Sequence, residues 1–239
     1  MYDMPHAIDA HDRLWTSIRD ALGEGPENLD RTTDMWTGWQ SEKLLVSQTC
    51  GLPFRARLFD AVTLVGTPDY GLRDCPQGYY FSYLIRRRGD RRSLHALARE
   101  GAFAYNDGLS QSGWAAPWAQ LAQIGLAPGT RVQTGSHIAS AMAVANGSAD
   151  YAGIDAVTYQ MWSQIASETA AQLETFLRTD PTPGLPLITA KSRDPEPIAR
   201  AVTRAIERMP PQDREVLYLK GLARIPAATY RALKIPPMP

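Results

Sequence analysis

The stretch Ala102–Gly125, which reads AFAYNDGLSQSGWAAPWAQLAQIG, contains the local pattern that decides the fold. The apolar run AFAYN predicts a buried strand, and the run that ends with Gly125 predicts a helix. The turn between them holds two hydroxyls and two glycines. Because the first turn of a helix has unpaired N–H groups and a positive partial charge, this turn is suited to bind an anion.

The same alternation of strand and helix continues on both sides of this stretch. Toward the C-terminus, the runs RVQTG and YAGIDA predict strands, each followed by a helical run. Toward the N-terminus, VTLVGTP predicts a strand, and apolar residues spaced along His6–Gly23 predict a helix. Strands that alternate with helices favour an α/β fold with mixed, mostly parallel sheets.

Two long extended segments, residues 78–87 and 173–190, bracket a middle part of roughly 90 residues. We therefore predict two lobes that are joined by a two-strand hinge. The first lobe combines residues 1–82 with residues 184–239, and the second lobe is the inserted part, residues 83–183.

The composition argues against several classes of protein but does not identify the function. Hydrophobic residues make up 44% and charged residues 21%, as in ordinary globular proteins. The 25 basic and 25 acidic residues give a formal net charge of zero, which favours neither nucleic acid nor an anionic membrane as a partner. No apolar run is long enough to span a membrane, and no cysteine or histidine spacing predicts a metal site.

The cellular compartment stays open at this level. The N-terminus MYDMPHAIDAHDRLW lacks a basic segment followed by an apolar one, so we expect either a cytoplasmic chain or one that begins after a removed leader. Cys50 and Cys75 are consistent with one disulfide in an oxidising compartment or with two thiols.

Two further strand-to-helix turns share the composition of the first one, which makes three in all. Each combines hydroxyls with a glycine, and they are Ser47–Gly51, Ser110–Gly113 and Thr134–His137. In an open α/β sheet such turns lie at the carboxyl ends of strands, where ligands bind. Ser and Thr are also the usual helix caps, which explains any single turn equally well. Three such turns, spread over both lobes, predict a binding site.

Two polar residues near these turns admit two interpretations each. His137 either donates to a bound anion, with binding that is sensitive to pH near its usual pKa of about 6.5, or is a half-buried structural residue. Asp155 follows an apolar strand, so it either faces the ligand or caps the helix that begins at Ala156. We favour the ligand-facing interpretation for Asp155.

Longer segments resemble the PhnD-like branch of the periplasmic substrate-binding proteins of ABC transporters, which take up phosphate, phosphite or phosphonate. The matching segments are LLVSQTCGLPF, VTLVGTPDY, GYYFSYLIRR, NDGLSQSGW, TGSHIASAMAVANGSADYAGIDAVTY and TPGLPLIT. The resemblance implies a two-lobed type 2 periplasmic-binding-protein fold that closes on a ligand in the cleft like a Venus flytrap. It also implies transport rather than catalysis.

The resemblance further implies which residues contact the ligand. The phosphonate group is expected on the helix start formed by Ser110, Gln111, Ser112 and Gly113. The next turn is expected to contribute Thr134, Gly135, Ser136 and His137. The acidic position of the family matches Asp155. The candidates from the first lobe are Tyr2, Thr49, Cys50, Thr67 and Tyr70.

As partners, the resemblance implies a small anion and an ABC transporter permease, for a monomeric periplasmic chain that uses no cofactor, no metal and no nucleic acid. The identity of the ligand stays open. Two alternatives remain: a cytoplasmic sensor or scavenger with the same fold, and a hydrolase that uses Ser112, His137 and Asp155. The hydrolase is disfavoured because the sequence lacks the Gly-x-Ser-x-Gly elbow around Ser112.

Overall fold

The computed structural model of the chain describes residues 2–239. Its strands are β1 (Ser47–Gln48), β2 (Val62–Asp69), β3 (Tyr79–Tyr80), β4 (Ser82–Arg87), β5 (Ala102–Tyr105), β6 (Thr130–Gln133), β7 (Tyr151–Asp155), β8 (Leu173–Arg178), β9 (Thr182–Pro183), β10 (Leu187–Ala190) and β11 (Gly221–Ala223).

The helices alternate with these strands over most of the chain. They are α1 (Ile8–Leu22), α2 (Met35–Trp39), α3 (Gly51–Pro53), α4 (Leu94–Glu100), α5 (Ala116–Ala122), α6 (His137–Ala145), α7 (Ala156–Ile165), α8 (Ser167–Ala170), α9 (Pro195–Glu207), α10 (Pro211–Leu217) and α11 (Ala227–Arg231). A 3-10 turn covers Pro5–Ala7, and π-helical turns cover Phe54–Leu58 and Gln111–Ala115. Because the second π-helical turn runs directly into α5, one continuous helix begins at Gln111.

The described chain divides into two compact units. The first, unit 1, runs to Tyr79 and resumes over Pro183–Leu233. Its four-stranded sheet has the order β1-β10-β2-β11, and each neighbouring pair is antiparallel. Helix α9 packs against α1, β2 and β11. The buried core on this sheet consists of Trp39, Phe54, Leu58, Val62, Ile188, Ile225 and Tyr230.

The second unit, unit 2, contains Tyr80–Thr182 and the C-terminal segment Lys234–Pro239. Its five-stranded sheet has the order β6-β5-β7-β4-β8. Strand β5 is parallel to β6 and β7, whereas β4 is antiparallel to β7 and β8. The buried core of this unit consists of Leu84, Leu97, Phe103, Tyr105, Trp114 and Tyr151.

The chain passes between the units three times. It leaves unit 1 after Tyr79 and returns after Thr182, within strands β3 and β9, which pair with each other. It enters unit 2 again after Leu233. The sequence-based division had kept the whole tail from residue 184 in the first lobe. The tail's return has a local cause, because the Trp114 indole N–H of unit 2 donates to the carbonyl of Pro237 at 2.9 Å.

The α/β class with mixed sheets is confirmed, but parallel pairing is more limited than the sequence suggested. In the four- and five-stranded sheets of residues 2–239, the parallel pairs are those of β5 with β6 and with β7. The other pairs in these two sheets, β1–β10, β10–β2, β2–β11, β7–β4 and β4–β8, are antiparallel. Within residues 2–239, no helix is both long and apolar enough to cross a membrane. Cys50 and Cys75 are not joined by a disulfide.

Tyr230 ties distant parts of unit 1 together through its hydroxyl. The side chain is 0% exposed, and the hydroxyl donates to the Gly184 carbonyl at 3.0 Å. Since that hydrogen is used, the hydroxyl accepts the hydrogen bond that it shares with Thr67 Oγ1 at 2.6 Å. We expect Tyr230→Phe to lower the free energy of unfolding by about 1–3 kcal/mol, because two buried polar groups lose their partner.

Urea denaturation of Tyr230→Phe, of Thr67→Val and of the double variant measures this effect. Adding Thr67→Val removes one of the two stranded groups, so the double variant is expected to lose less stability than the two single losses combined. A Tyr230→Phe variant with wild-type stability would contradict the role given to the hydroxyl.

Candidate functional site

The carboxyl ends of three neighbouring strands of unit 2 define the candidate site. Strands β6, β5 and β7 are adjacent and run in the same direction. Their carboxyl ends therefore lie at one edge of the sheet. From this edge the chain enters α6, the helix that begins at Gln111, and α7, respectively. Three helix starts, with their outward N–H groups, are thus gathered at one edge.

The helix start Ser110–Gly113, which follows β5, is buried and tightly packed. The Ser110 side chain caps it by accepting from the Gly113 N–H at 2.9 Å. A Cβ on Gly113 would overlap the side-chain oxygen of Asn106. Glycine is therefore needed here for packing, and Ser110 serves the helix itself in addition to any ligand.

The second turn, Thr134–His137, follows β6 and is more exposed. Gly135 has a φ of +85°, a left-handed conformation that favours glycine. Its N–H donates to the Asn106 carbonyl at 3.1 Å, so the backbone of the two turns is connected. Ser136 caps α6, and the Thr134 hydroxyl is bonded within the turn and to α6.

A side-chain hydrogen bond also joins these two turns. Ser112 Oγ lies 2.8 Å from His137 Nε2. Burial lowers the pKa of His137 to about 4, and the nearby Gly153 backbone opposes part of this shift. The imidazole is therefore neutral at pH 6.5. The pH sensitivity near 6.5 that the sequence suggested for His137 is not expected. The joined turns offer uncharged hydrogen-bonding groups.

The third helix start belongs to Asp155 at the end of β7. Asp155 is 2% exposed, and its Oδ1 accepts from the Thr158 N–H at 3.0 Å in the first turn of α7. A carboxylate at this position is stabilised by the helix dipole. The capping interpretation is therefore confirmed, and contact between Asp155 and a ligand stays a prediction.

The first helix start rests directly on strand β7. A Cβ on Gly153 of β7 would lie 3.2 Å from the Ser112 carbonyl oxygen and 3.3 Å from that of Gly113, and it would overlap Pro117. From β4, the Ser82 hydroxyl donates to the Ser112 carbonyl at 2.8 Å. Strand and helix start are therefore held at a short, fixed distance.

Ser112 and His137 form only part of a catalytic arrangement. In a serine triad, a carboxylate holds the second imidazole nitrogen. No carboxylate within residues 2–239 is hydrogen-bonded to His137 Nδ1, and Asp155 is engaged with the Thr158 N–H. Nor does any group of three or more His, Cys, Asp and Glu side chains in this range fit a metal ion.

In unit 1, two of the predicted residues lie together. The rings of Tyr2 and Tyr70 pack edge to face, with centroids 4.9 Å apart. Gln48 at the end of β1 donates from Nε2 to the Tyr70 hydroxyl at 3.2 Å. The N-terminal segment, β1 and the residue after β2 are connected in this way.

The other three predicted residues of unit 1 are buried. The Thr49 N–H donates to the Pro186 carbonyl at 3.0 Å, and Cys50 precedes α3. Thr67 differs from them because its hydroxyl hydrogen is used by Tyr230. Thr67 therefore has no hydroxyl hydrogen to donate to an anion.

Three residues that shape the first turn were missed from the sequence. Asn106 lies against Gly113, Ser82 holds the Ser112 carbonyl, and Gly153 admits the helix start. Only Gly153 carried a usable signal, because an isolated glycine in a strand often marks a close approach of another backbone. The roles of Asn106 and Ser82 depend on contacts with segments that are distant or irregular.

A family model described as ABC transporter, phosphonate, periplasmic substrate-binding protein matches residues 55–233. The chain belongs to this family. This phosphonate-family chain is thus a substrate-binding transport protein and not an enzyme, as predicted. No curated protein sequence matches it.

Solved structures of similar fold agree with this family. PhnD1 from Prochlorococcus marinus, in complex with methylphosphonate, has a TM-score of 0.72 and 16% identity, with 95% of this chain and 91% of that chain covered. A protein from Xanthomonas citri bound to chloride has a TM-score of 0.69 and 13% identity, with 96% and 92% covered. A binding protein component of an ABC phosphonate transporter from Pseudomonas aeruginosa has a TM-score of 0.68 and 16% identity, with 93% and 78% covered.

At these identities the similarity shows the fold alone. The neighbours of the phosphonate-family chain include phosphonate-binding proteins and amino-acid-binding proteins. The predicted type 2 periplasmic-binding-protein fold is therefore confirmed.

Proposed function

We propose that the chain binds a small oxyanion of the phosphonate class at the carboxyl edge of the unit 2 sheet and delivers it to an ABC transporter permease. The observation that carries this proposal is the 2.8 Å hydrogen bond between Ser112 and His137, which joins the helix starts after two adjacent parallel strands. Family membership supports the transport role. The methylphosphonate in the Prochlorococcus marinus relative supports the ligand class.

Helix geometry indicates which groups hold the anion. The first N–H groups of a helix have no intrahelical acceptor and attract anions. Since Gly113 and Ala139 donate to the capping serines, the helix-start N–H groups proposed to hold the anion are those of residues 112, 137 and 138. Gln111 is assigned a further contact. The Ser112 hydroxyl completes a neutral donor set for a tetrahedral oxyanion when His137 carries its proton on Nε2, because the ring then donates to Ser112 Oγ and leaves the hydroxyl hydrogen for the ligand.

The remaining parts of the proposal follow the family. Further contacts from unit 2 are assigned to Gly113, Gly135, Ser136 and Asp155. Tyr2, Thr49, Cys50 and Tyr70 stay predictions for unit 1. The chain is proposed to act as a monomer in the periplasm, and fractionation of cells that express the complete gene tests this location against that of a cytoplasmic sensor.

Ser112→Ala is expected to weaken binding of methylphosphonate about 10- to 100-fold. A hydrogen bond to a charged ligand contributes about 1.5–3 kcal/mol, which corresponds to that range. Isothermal titration of wild type and variant with methylphosphonate, phosphite and phosphate measures the change. Methylphosphonate at about 100 times its Kd is also expected to stabilise the wild type by about 2.7 kcal/mol.

Ser93→Ala is the matched control. Ser93 caps α4 by accepting from the Ala96 N–H at 3.2 Å. Its neighbour Arg92 donates to Asp150, the residue before β7, at 2.6 Å, so this serine lies near the amino ends of the strands, at the opposite edge of the sheet. Its replacement removes a serine from a helix start while binding is expected to stay within twofold of wild type. If the wild type binds organic cations but none of the three oxyanions, the proposed ligand class is wrong.

A further inference from the structure

The C-terminal segment Lys234–Pro239 contacts the helix that carries Ser112. Trp114 lies in the first turn of this helix, and its indole Nε1–H donates to the Pro237 carbonyl at 2.9 Å. The Trp114 side chain is 0% exposed. The segment therefore supplies the partner that the buried indole N–H needs.

The same segment covers the turn before the helix. A Cβ on Gly108 would lie 2.9 Å from the Met238 methyl carbon and 3.1 Å from Pro239 Cδ. Gly108 is buried, whereas the preceding residue, Asp107, is exposed. The turn and the segment are therefore in direct contact, and a methyl group at Gly108 would require Met238 and Pro239 to shift.

The core holds Trp114 from its other sides. The indole ring lies 5.5 Å from the Tyr105 ring and 6.2 Å from the Phe103 ring, measured between centroids. The Arg131 guanidinium lies 5.4 Å from the ring centroid. The helix start at Ser112 is thus held on one side by the sheet and on the other by the C-terminal segment.

We propose that Lys234–Pro239 is a positioning element of the ligand-binding turn. This inference rests on the proposed function. An anion that is held by several N–H groups needs the helix start in one conformation, and contacts that fix this conformation in advance reduce the cost of binding. Linkage then requires the reverse effect: a ligand that binds the docked form better also stabilises docking of the segment.

Two substitutions test the effect on affinity in the full chain. Trp114→Phe keeps an aromatic ring but removes the donor to Pro237, and Gly108→Ala displaces Met238 and Pro239 while the indole remains. Each is expected to raise the Kd for methylphosphonate about three- to tenfold, the size expected for one lost hydrogen bond. Trp118→Phe, on the same helix, is the control and is expected to change the Kd less than twofold.

The exchange rate of the Trp114 indole proton tests the reverse effect. In ¹⁵N-labelled wild-type protein, saturating methylphosphonate is expected to slow exchange of this proton with water. The reference is the indole proton of Trp15, which donates to the Pro26 carbonyl in unit 1. Because any ligand of the folded chain suppresses exchange through global unfolding, a segment that only stabilises the fold would let the ligand slow both protons by the same factor. This measurement needs no variant, so it stands if Trp114→Phe fails to fold.

Each outcome supports or overturns the inference. Weaker binding in both variants with slower indole exchange supports it. An unchanged Kd in both variants, or exchange of the Trp114 proton that slows no more than that of Trp15, overturns the positioning role while the proposed function stands. A wild-type protein that does not bind methylphosphonate overturns both.

Discussion

Gly153→Ala is expected to abolish measurable methylphosphonate binding and to lower the free energy of unfolding by about 1–3 kcal/mol. The new methyl group would overlap Pro117 and press on the carbonyls of Ser112 and Gly113. A proline ring and two backbone carbonyls cannot move aside as the end of a flexible side chain can. The helix start would therefore shift away from β7, and its N–H groups would no longer converge on the anion.

Urea denaturation and isothermal titration measure the two parts of this prediction. Gly221→Ala is the control, because a Cβ on Gly221 of β11 meets no atom within 4 Å. It is expected to leave ligand binding unchanged. If Gly153→Ala binds methylphosphonate with wild-type affinity, the packing of the helix start on β7 does not determine the site.

The elements whose order follows from local sequence were predicted well. The runs AFAYN and VTLVGTP are confirmed as β5 and β2, since apolar periodicity and flanking turns are local properties. The apolar run at residues 44–46 also favours a buried strand by its composition, but β1 covers Ser47–Gln48 instead. Leu44 contributes its carbonyl to the Ala190 N–H without forming a regular ladder.

Strand pairing could not be read from the same patterns. Strand β10 lies between β1 and β2, and its residue Ile188 pairs with Ser47 on one side and with Leu64 on the other. Nothing in a short apolar run states which distant strand it will join, or in which direction. The preference for parallel pairing therefore failed where a return strand enters the sheet.

For the site, the sequence predicted the turns better than the individual contacts. Hydroxyls and glycines at strand ends marked the helix starts of unit 2 because the capping chemistry is local. The hydrogen bond between Ser112 and His137 and the one between Trp114 and Pro237 join positions far apart in the chain. Tyr230 is likewise far from Thr67 in the chain, so the sequence does not show that the Thr67 hydroxyl is engaged, and the resemblance leaves Thr67 among the ligand candidates.

Between pH 6.5 and about 4, His137 is expected to make the protein less stable as the pH falls. Its pKa is lowered to about 4 in the folded chain by burial, whereas an unperturbed histidine has a pKa of about 6.5. Within this window the unfolded chain takes up the proton first, so protonation favours unfolding. Above pH 6.5 the residue is neutral in both states, and it contributes no further pH dependence.

His137→Gln is expected to remove this contribution, about 1–3 kcal/mol between the two ends of the window for a half-buried imidazole. Urea denaturation at pH 7, 5.5 and 4 measures the difference between wild type and variant. This difference isolates His137 from His11, whose pKa is also lowered by burial. His95→Gln replaces an exposed histidine and is the control for the substitution itself. If the stability of His137→Gln falls between pH 7 and pH 4 as steeply as that of the wild type, burial does not lower the pKa of His137 in the folded chain.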